Sequence, residues 1–162
     1  MAAVKTQGTQ LYILDPNGSA GCEIIVVECT TAISGLSNPR EQIETTCLES
    51  DTREYVGGLS TPGQMTVTVN FDPSNESHFR LYQFWKENAD NFKFAIGYGG
   101  PVGVAPTLES GCEFGYTGLN RTFIEAEGYV VDVPLEAALN SVWTSAIPIQ
   151  ISGPYTIFPV TV

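Results

Sequence analysis

Residues Gln64 to Phe71 alternate without a break, with Met65, Val67, Val69 and Phe71 on one side and Gln64, Thr66, Thr68 and Asn70 on the other. Successive side chains of an extended chain point to opposite faces, so this period-two pattern predicts a strand with one buried and one polar face. Asp72-Pro73 follows at once. Asp is a good N-cap and Pro suits the first helical position, which predicts a helix over about residues 73–87, with Lys86 complementing the dipole at its end. On that helix Glu76, Arg80, Gln83 and Glu87 form one narrow polar stripe, while His78, Leu81, Tyr82, Phe84, Trp85 and Ala89 take up most of the rest. A helix with so little polar surface needs more than one covering surface, and a sheet on one side with a neighbouring subunit on the other would supply both. His78, with no nucleophile linked to it in sequence, is read as a hydrogen-bonded packing residue.

Further strands follow from β-branched and aromatic content between turn residues. Gln10–Leu14 and Glu23–Cys29 flank the turn Asp15 to Gly21, and both carry apolar residues at successive positions, which predicts cover on two faces. Phe92, Phe94, Ile96 and Tyr98 alternate with Asn91, Lys93, Ala95 and Gly97, and Gly99-Gly100-Pro101 ends that strand as a turn, not as a phosphate loop. Arg121–Val133 and Val142–Ser152 read as two long arms of a hairpin, and Pro148 in the second argues for an edge position or a bulge. The run from Tyr155 to Val162 has no charge, so it either folds onto its own sheet or contacts another copy. Between Thr30 and Pro62 the alternation disappears, and a loop of that length inside a compact domain is expected to be functional or ordered by contact with something else.

The result is a mainly β (α+β) chain of seven or eight strands: a β-sandwich or partly open barrel of two packed antiparallel sheets, one flanking helix and a long loop at about 30–62. At 162 residues it is expected to be a single domain over 1–162, with an N-terminal arm and first strand at 1–21 and a C-terminal strand at 154–162.

Eighteen acids against seven Lys and Arg give a formal net charge of −11, and without a basic run tight nucleic-acid binding is not expected. Cys22, Cys29, Cys47 and Cys112 form no C-x-x-C pair and are expected as small buried thiols of a reducing cytoplasm, not as a disulfide framework or zinc site. No segment approaches the roughly 20 apolar residues of a membrane span, and the first eight residues lack the apolar core of a signal peptide. No cofactor or metal is expected. Glu125 and Glu127 share a strand face, but a glycosidase pair needs a cleft and a partner acid, so an acidic solvated patch is the better reading.

Three segments, taken in order, resemble the lambda-type tail tube proteins of long, non-contractile-tailed phages. They are the Thr-rich loop Ile43 to Leu48 with Arg53 to Leu59 closing in Gly-Gly-Leu, the stretch Val67 to Pro73 with Asn-Phe-Asp-Pro, and the closing hairpin from Phe123 through Gly128 to Ser152-Gly153. Met1 to Gly21 and Gly99 to Gly118 find no match. The resemblance implies two packed sheets with one helix and a long loop, in subunits that form hexameric rings stacked into a hollow tube. It implies a virion protein assembled in the host bacterial cytoplasm. Its partners would be other copies of itself, the tape measure protein, and tail tip and tail terminator proteins, with DNA only in transit and no membrane. Assembly contacts would then fall on Thr45, Thr46, Leu48, Arg53, Tyr55 and Leu59 of the loop, on Trp85 of the helix, and on Ile157 and Phe158 of the C-terminal strand. Glu125 and Glu127 would be lumen acids, and no catalytic residue is implied. Readings from other classes are a carbohydrate-binding sandwich using Tyr98, Tyr116 and Trp143 as sugar platforms, a hydrolase using Glu125 and Glu127, and a head-decoration or tail-terminator protein.

Overall fold

A computed structural model describes residues 3–100 and 103–160. Parts of the predicted elements, namely Met1 and Ala2, Pro101 of the turn, and Thr161 and Val162 of the C-terminal strand, lie outside them. In chain order the strands are β1 (Gln10–Gly18), β2 (Gly21–Val27), β3 (Thr30–Ser34), β4 (Arg40–Glu44), β5 (Tyr55–Ser60) and β6 (Gln64–Asn70). The helix α1 (Glu76–Lys86) follows, then β7 (Phe92–Tyr98), β8 (Thr107–Glu109), β9 (Glu113–Gly115), β10 (Thr122–Val130), β11 (Thr144–Ile151) and β12 (Thr156–Phe158).

The two expected layers are two arms of one antiparallel sheet, ordered β2-β1-β7-β10-β11-β6-β3, with β12 beside β10. β10 joins the arms. One of its edges follows β7 from Thr122 to Gly128, while the other is shared between β12 at Phe123–Glu125 and β11 at Gly128–Val130. The bend falls at Gly128, where a Cβ would lie 2.3 Å from the Gln150 carbonyl oxygen, so only glycine lets the strands approach this closely.

Between the arms lies the main core, which includes Met65, Val67 and Val69 of β6, Phe92, Phe94 and Ile96 of β7, and Ile147, Ile149 and Ile151 of β11. Leu81 and Phe84 of α1 pack against it. The alternation of β6 is thus realised residue by residue. β1 is covered on both faces, as its successive apolar residues require. Leu11 and Ile13 enter the main core, whereas Tyr12 and Leu14 join a second cluster with Ala95, Phe114 and Phe123. The cover of that second face is the β8–β9 hairpin, within the Gly99 to Gly118 stretch that lies outside the three resembling segments.

Four expectations are corrected. The helix does not start at Pro73: Asp72 instead accepts from the Ser74 N–H and hydroxyl, closing a turn, and Asn75 caps α1 by accepting from the Ser77 N–H at 3.0 Å. The cysteines are not four buried thiols, because Cys22 and Cys112, 90 residues apart, form a disulfide tying β2 to the β8–β9 turn, and Cys29 and Cys47 are exposed. Residues 30–62 are not a structureless loop, since they contain β3, β4 and β5. Pro148 sits in an interior strand. Its carbonyl accepts from Val131 N–H beyond the end of β10, so its missing N–H faces the side where that ladder has run out.

His78 is buried and packs as expected. Its Nδ1 accepts from the Asp72 N–H at 3.1 Å, which leaves Nε2–H to donate to the Glu28 carbonyl at 2.7 Å. The C-terminal run folds onto its own sheet through β12.

Candidate assembly surfaces

The β3–β6 pair does not stop where the sheet stops. Gly63 N–H donates to Ser37 O and Thr61 N–H to Pro39 O, both at 2.9 Å, and the ladder passes on into β4 and β5. The result is a two-stranded arm extending beyond the body. Every residue of β4 is exposed, and only Gly58 of β5 is partly covered. A two-stranded ribbon buries no core and is marginal by itself in water. This one nevertheless exposes Ile43, Leu48, Tyr55, Val56 and Leu59, the last at 83 %.

Most of the predicted loop contacts gather on this arm. Leu48 is fully exposed near its tip, Tyr55 opens β5, and Leu59 lies at its base. Thr45 and Thr46 hold the tip together: Thr45 N–H donates to Glu54 O at 2.9 Å, and the Thr46 hydroxyl accepts from Glu54 N–H at 3.0 Å. Arg53 lies 3.9 Å from Glu44, an exposed pair that stabilises the tip by only about 0–1 kcal/mol. Trp85 stands apart on α1, where Phe79, Tyr82 and Trp85 form a row of touching rings at centroid distances of 6.0 and 5.8 Å, with Phe79 and Trp85 exposed. Ile157 and Phe158 lie on β12, half-exposed, with Phe158 stacked on Tyr116 at 4.4 Å.

Glu125 and Glu127 share the face of β10 that also carries Phe123, beside the β8–β9 hairpin. Both are half-buried. Glu125 accepts from the Tyr116 hydroxyl at 2.7 Å, and Glu127 faces Lys93 across the ladder. Lys93 pairs with Glu113, whose hydrogen bond holds the ammonium's pKa above its usual value, helped by Glu125 and Glu127. Glu113 thus holds the ammonium directly, and the two acids of β10 add to the negative field around it.

Two features were not singled out in sequence. Arg121 is almost fully buried and ties four segments together. Its Nη1 donates to Gln10 Oε1, Tyr12 Oη and Val104 O, and its Nη2 to Gly8 O and Gly97 O. The second is the loop after β10, where Leu135 and Leu139 are exposed, Leu139 at 95 %, beside Val142 and Trp143, which were expected in the next strand but precede β11 and are exposed too. A run of apolar residues among turn residues was the only sequence signal for it.

The aromatics of the sugar-binding reading do not form one platform. Tyr116 is stacked inward among Phe114, Phe123 and Phe158. Tyr98 lies opposite Thr122 at the start of β10, and Trp143 lies beyond its far end, next to Phe71.

Residues 2–161 match the family described as phage tail tube, TTP, lambda-like. The chain belongs to the lambda-like phage tail tube family. Structural protein 3 of Pseudomonas phage PAJU2 is 37 % identical over 158 residues, covering 96 % of this chain and 94 % of the relative. Among solved structures, the tail of an empty gene transfer agent particle, computed with C6 symmetry, superposes with a TM-score of 0.65 at 15 % identity, over 97 % of this chain and 100 % of the other. The sheath/tube terminator of an extracellular contractile injection system also gives 0.65, at 12 % identity and over 98 % and 99 % of the two chains. At those identities the likeness shows the shared fold. As a member of this family the chain is a structural component of a phage tail, part of the virion. No helix among the described residues is long and apolar enough to cross a membrane.

Proposed function

We propose that this tail tube family member self-assembles into six-membered rings that stack into the hollow tail through which the genome leaves the head. The observation that carries the reading is the β4–β5 arm, a ribbon with no core of its own that exposes five large apolar side chains. Such a surface on a folded chain marks a contact with another protein. Hexameric order is supported by the six-fold symmetry of the gene transfer agent tail that shares this fold. Contacts of unlike surfaces close into rings when the rotation closes and into open stacks when it does not, and a tube needs both. Trp85, Ile157 and Phe158 supply further apolar surface for neighbouring copies.

In this reading the role is structural, without catalysis. The tape measure protein occupies the lumen during assembly, and tip and terminator proteins cap the ends. The net charge of −11 supports a channel that passes DNA without holding it. Glu127 is the better lumen acid of the two candidates, because Glu125 is engaged by Tyr116. Assembly takes place in the host cytoplasm.

Negative-stain electron microscopy of the concentrated protein, alone and with tail tip complexes, tests the reading. Hollow tubes or six-fold rings of uniform width are expected. Monomers that stay monomeric in the presence of tip complexes and tape measure protein would overturn it.

A further inference from the structure

The β8–β9 hairpin covers Tyr12 and Phe123 as a two-stranded sheet of its own, with three residues in each strand. A hairpin of that size is marginal by itself in water. Side chains hold it in place: Phe114 is buried with Tyr12 and Phe123, the Tyr116 hydroxyl donates to Glu125 at 2.7 Å, and Glu113 pairs with Lys93 of β7. Those contacts set Cys112, on the hairpin's turn, beside Cys22 of β2. The two Cα atoms lie 5.7 Å apart, inside the range of about 4.4–6.8 Å over which a disulfide closes without backbone movement.

The main core between the arms of the sheet contains neither cysteine, so the body folds whether or not the bond is closed. Both cysteines are half-buried and reachable from solvent. Cys22 lies on the edge strand of the sheet, and Cys112 occupies the turn in a left-handed conformation, with φ of 62°. Accessible disulfides at strained positions are the readily reduced ones. In a bacterial cytoplasm such pairs are kept as thiols.

We infer that the Cys22–Cys112 bond is a latch that closes late: the chain folds and assembles as a dithiol in the reducing cytoplasm, and the bond forms once the tail is outside the cell. The inference rests on the reading above for where assembly takes place. Closure is an exchange with an oxidised small-molecule disulfide. The thiolate of one cysteine attacks a sulfur of that disulfide, releasing one small thiol and leaving a mixed disulfide on the protein. The second cysteine attacks the mixed disulfide and displaces the other small thiol. Two protein thiols are oxidised, one small disulfide is reduced to two thiols, and the protons leaving the cysteines end on those thiols. The hairpin can therefore yield while subunits pack, and in the released tail it is fastened over Tyr12 and Phe123.

Cys29 and Cys47 are exposed and free, so a Cys29→Ser, Cys47→Ser background leaves one pair to follow. The full chain is expressed in a bacterial cytoplasm, its thiols are trapped with N-ethylmaleimide before lysis, and the intact mass is measured. Two additions per chain are expected. The same chain purified under reductant, then given oxidised glutathione and trapped, is expected to take up none, to retain no glutathione and to weigh two hydrogens less than the dithiol. A bond already closed inside the cell would overturn late closure, and two free thiols or two retained glutathiones after oxidation would overturn the latch. Tubes isolated under reductant are expected to oxidise in the same way while keeping their form in micrographs. Tubes in which the bond closes only after they fall apart would overturn closure after assembly. Micrographs without tubes would count against the tube reading alone, because the masses of the free chain still decide whether the bond is open in the cell and closed outside it.

Discussion

Gly97 and Arg121 share one space: a Cβ at Gly97 would lie 2.5 Å from Arg121 Cζ, so the guanidinium crosses β7 only because residue 97 has no side chain. The five acceptors it reaches belong to the N-terminal segment, β1, β7 and the loop at Val104. Gly97→Ala is expected to displace Arg121 and destabilise the fold by about 2–4 kcal/mol, the scale for breaking a buried hydrogen-bond network. Arg121→Lys should cost a similar amount, since three donors on one point cannot replace the fork. Urea unfolding midpoints of the variants check this, and a midpoint shift near zero for Gly97→Ala would refute it.

The Cys22–Cys112 bond closes a loop of 90 residues, which on chain-entropy grounds stabilises the fold by about 4–5 kcal/mol. It fixes the turn of a hairpin whose strands are three residues each and that covers Phe123 and Tyr12. Reductant is expected to lower the Tm by roughly 10–20 °C, at about 2–4 °C per kcal/mol for a chain of this size. The Cys22→Ser, Cys112→Ser double variant should start at the lower Tm and ignore reductant. Equal melting with and without reductant in the parent protein would show that the bond does not stabilise it.

Sequence legibility followed burial. β6 was readable because one face is core and the other is not, so residues 65, 67 and 69 had to be apolar and their neighbours did not. β4 and β5 were not readable, because a ribbon exposed on both faces imposes no alternation. Asp72-Pro73 satisfied every local rule for a helix start, yet Asn75 one turn later caps the helix and Asp72 closes the turn before it. Nothing in the spacing of Cys22 and Cys112 shows their pairing, which depends on where the β8–β9 hairpin folds back. On the candidate surfaces, motif and order pointed to the Thr-rich tip and Leu59, which lie on the exposed arm, whereas no motif or period marks the exposed Leu135 and Leu139.

Tyr116 gives the fold a pH signature. Burial first, then its hydrogen bond to Glu125, raise the phenol's pKa above the usual 10. The folded state therefore holds the neutral phenol while the unfolded chain ionises near pH 10. The stability this adds is fully present below that pH and declines as the pH rises above it. Burial pushes Tyr12 in the same direction, opposed by Arg121. Tyr116→Phe is expected to lose about 1 kcal/mol at pH 7 with the hydrogen bond, yet to decline less steeply between roughly pH 10 and 12. Urea midpoints measured from pH 7 to 12 decide it: parallel curves for the two proteins would mean that another group controls the alkaline limb.

The arm's side chains contribute nothing to either core cluster, so the proposed assembly contact can be altered without touching the fold. Leu48→Asp together with Leu59→Asp should leave the melting temperature within about ±2 °C of the parent, as exposed substitutions away from special features change stability by no more than about 0.5 kcal/mol. Under the proposed function the same pair places two charges where a neighbouring copy would exclude water, so tube formation should be lost. Leu11→Ala in β1 is the opposite control: it removes a buried side chain and should cost about 2–5 kcal/mol of stability, so that any loss of tubes follows loss of fold. Calorimetry and electron microscopy on the same preparations separate the two effects. Normal tubes from the doubly charged arm would show that the arm is not an assembly contact, whatever its exposure.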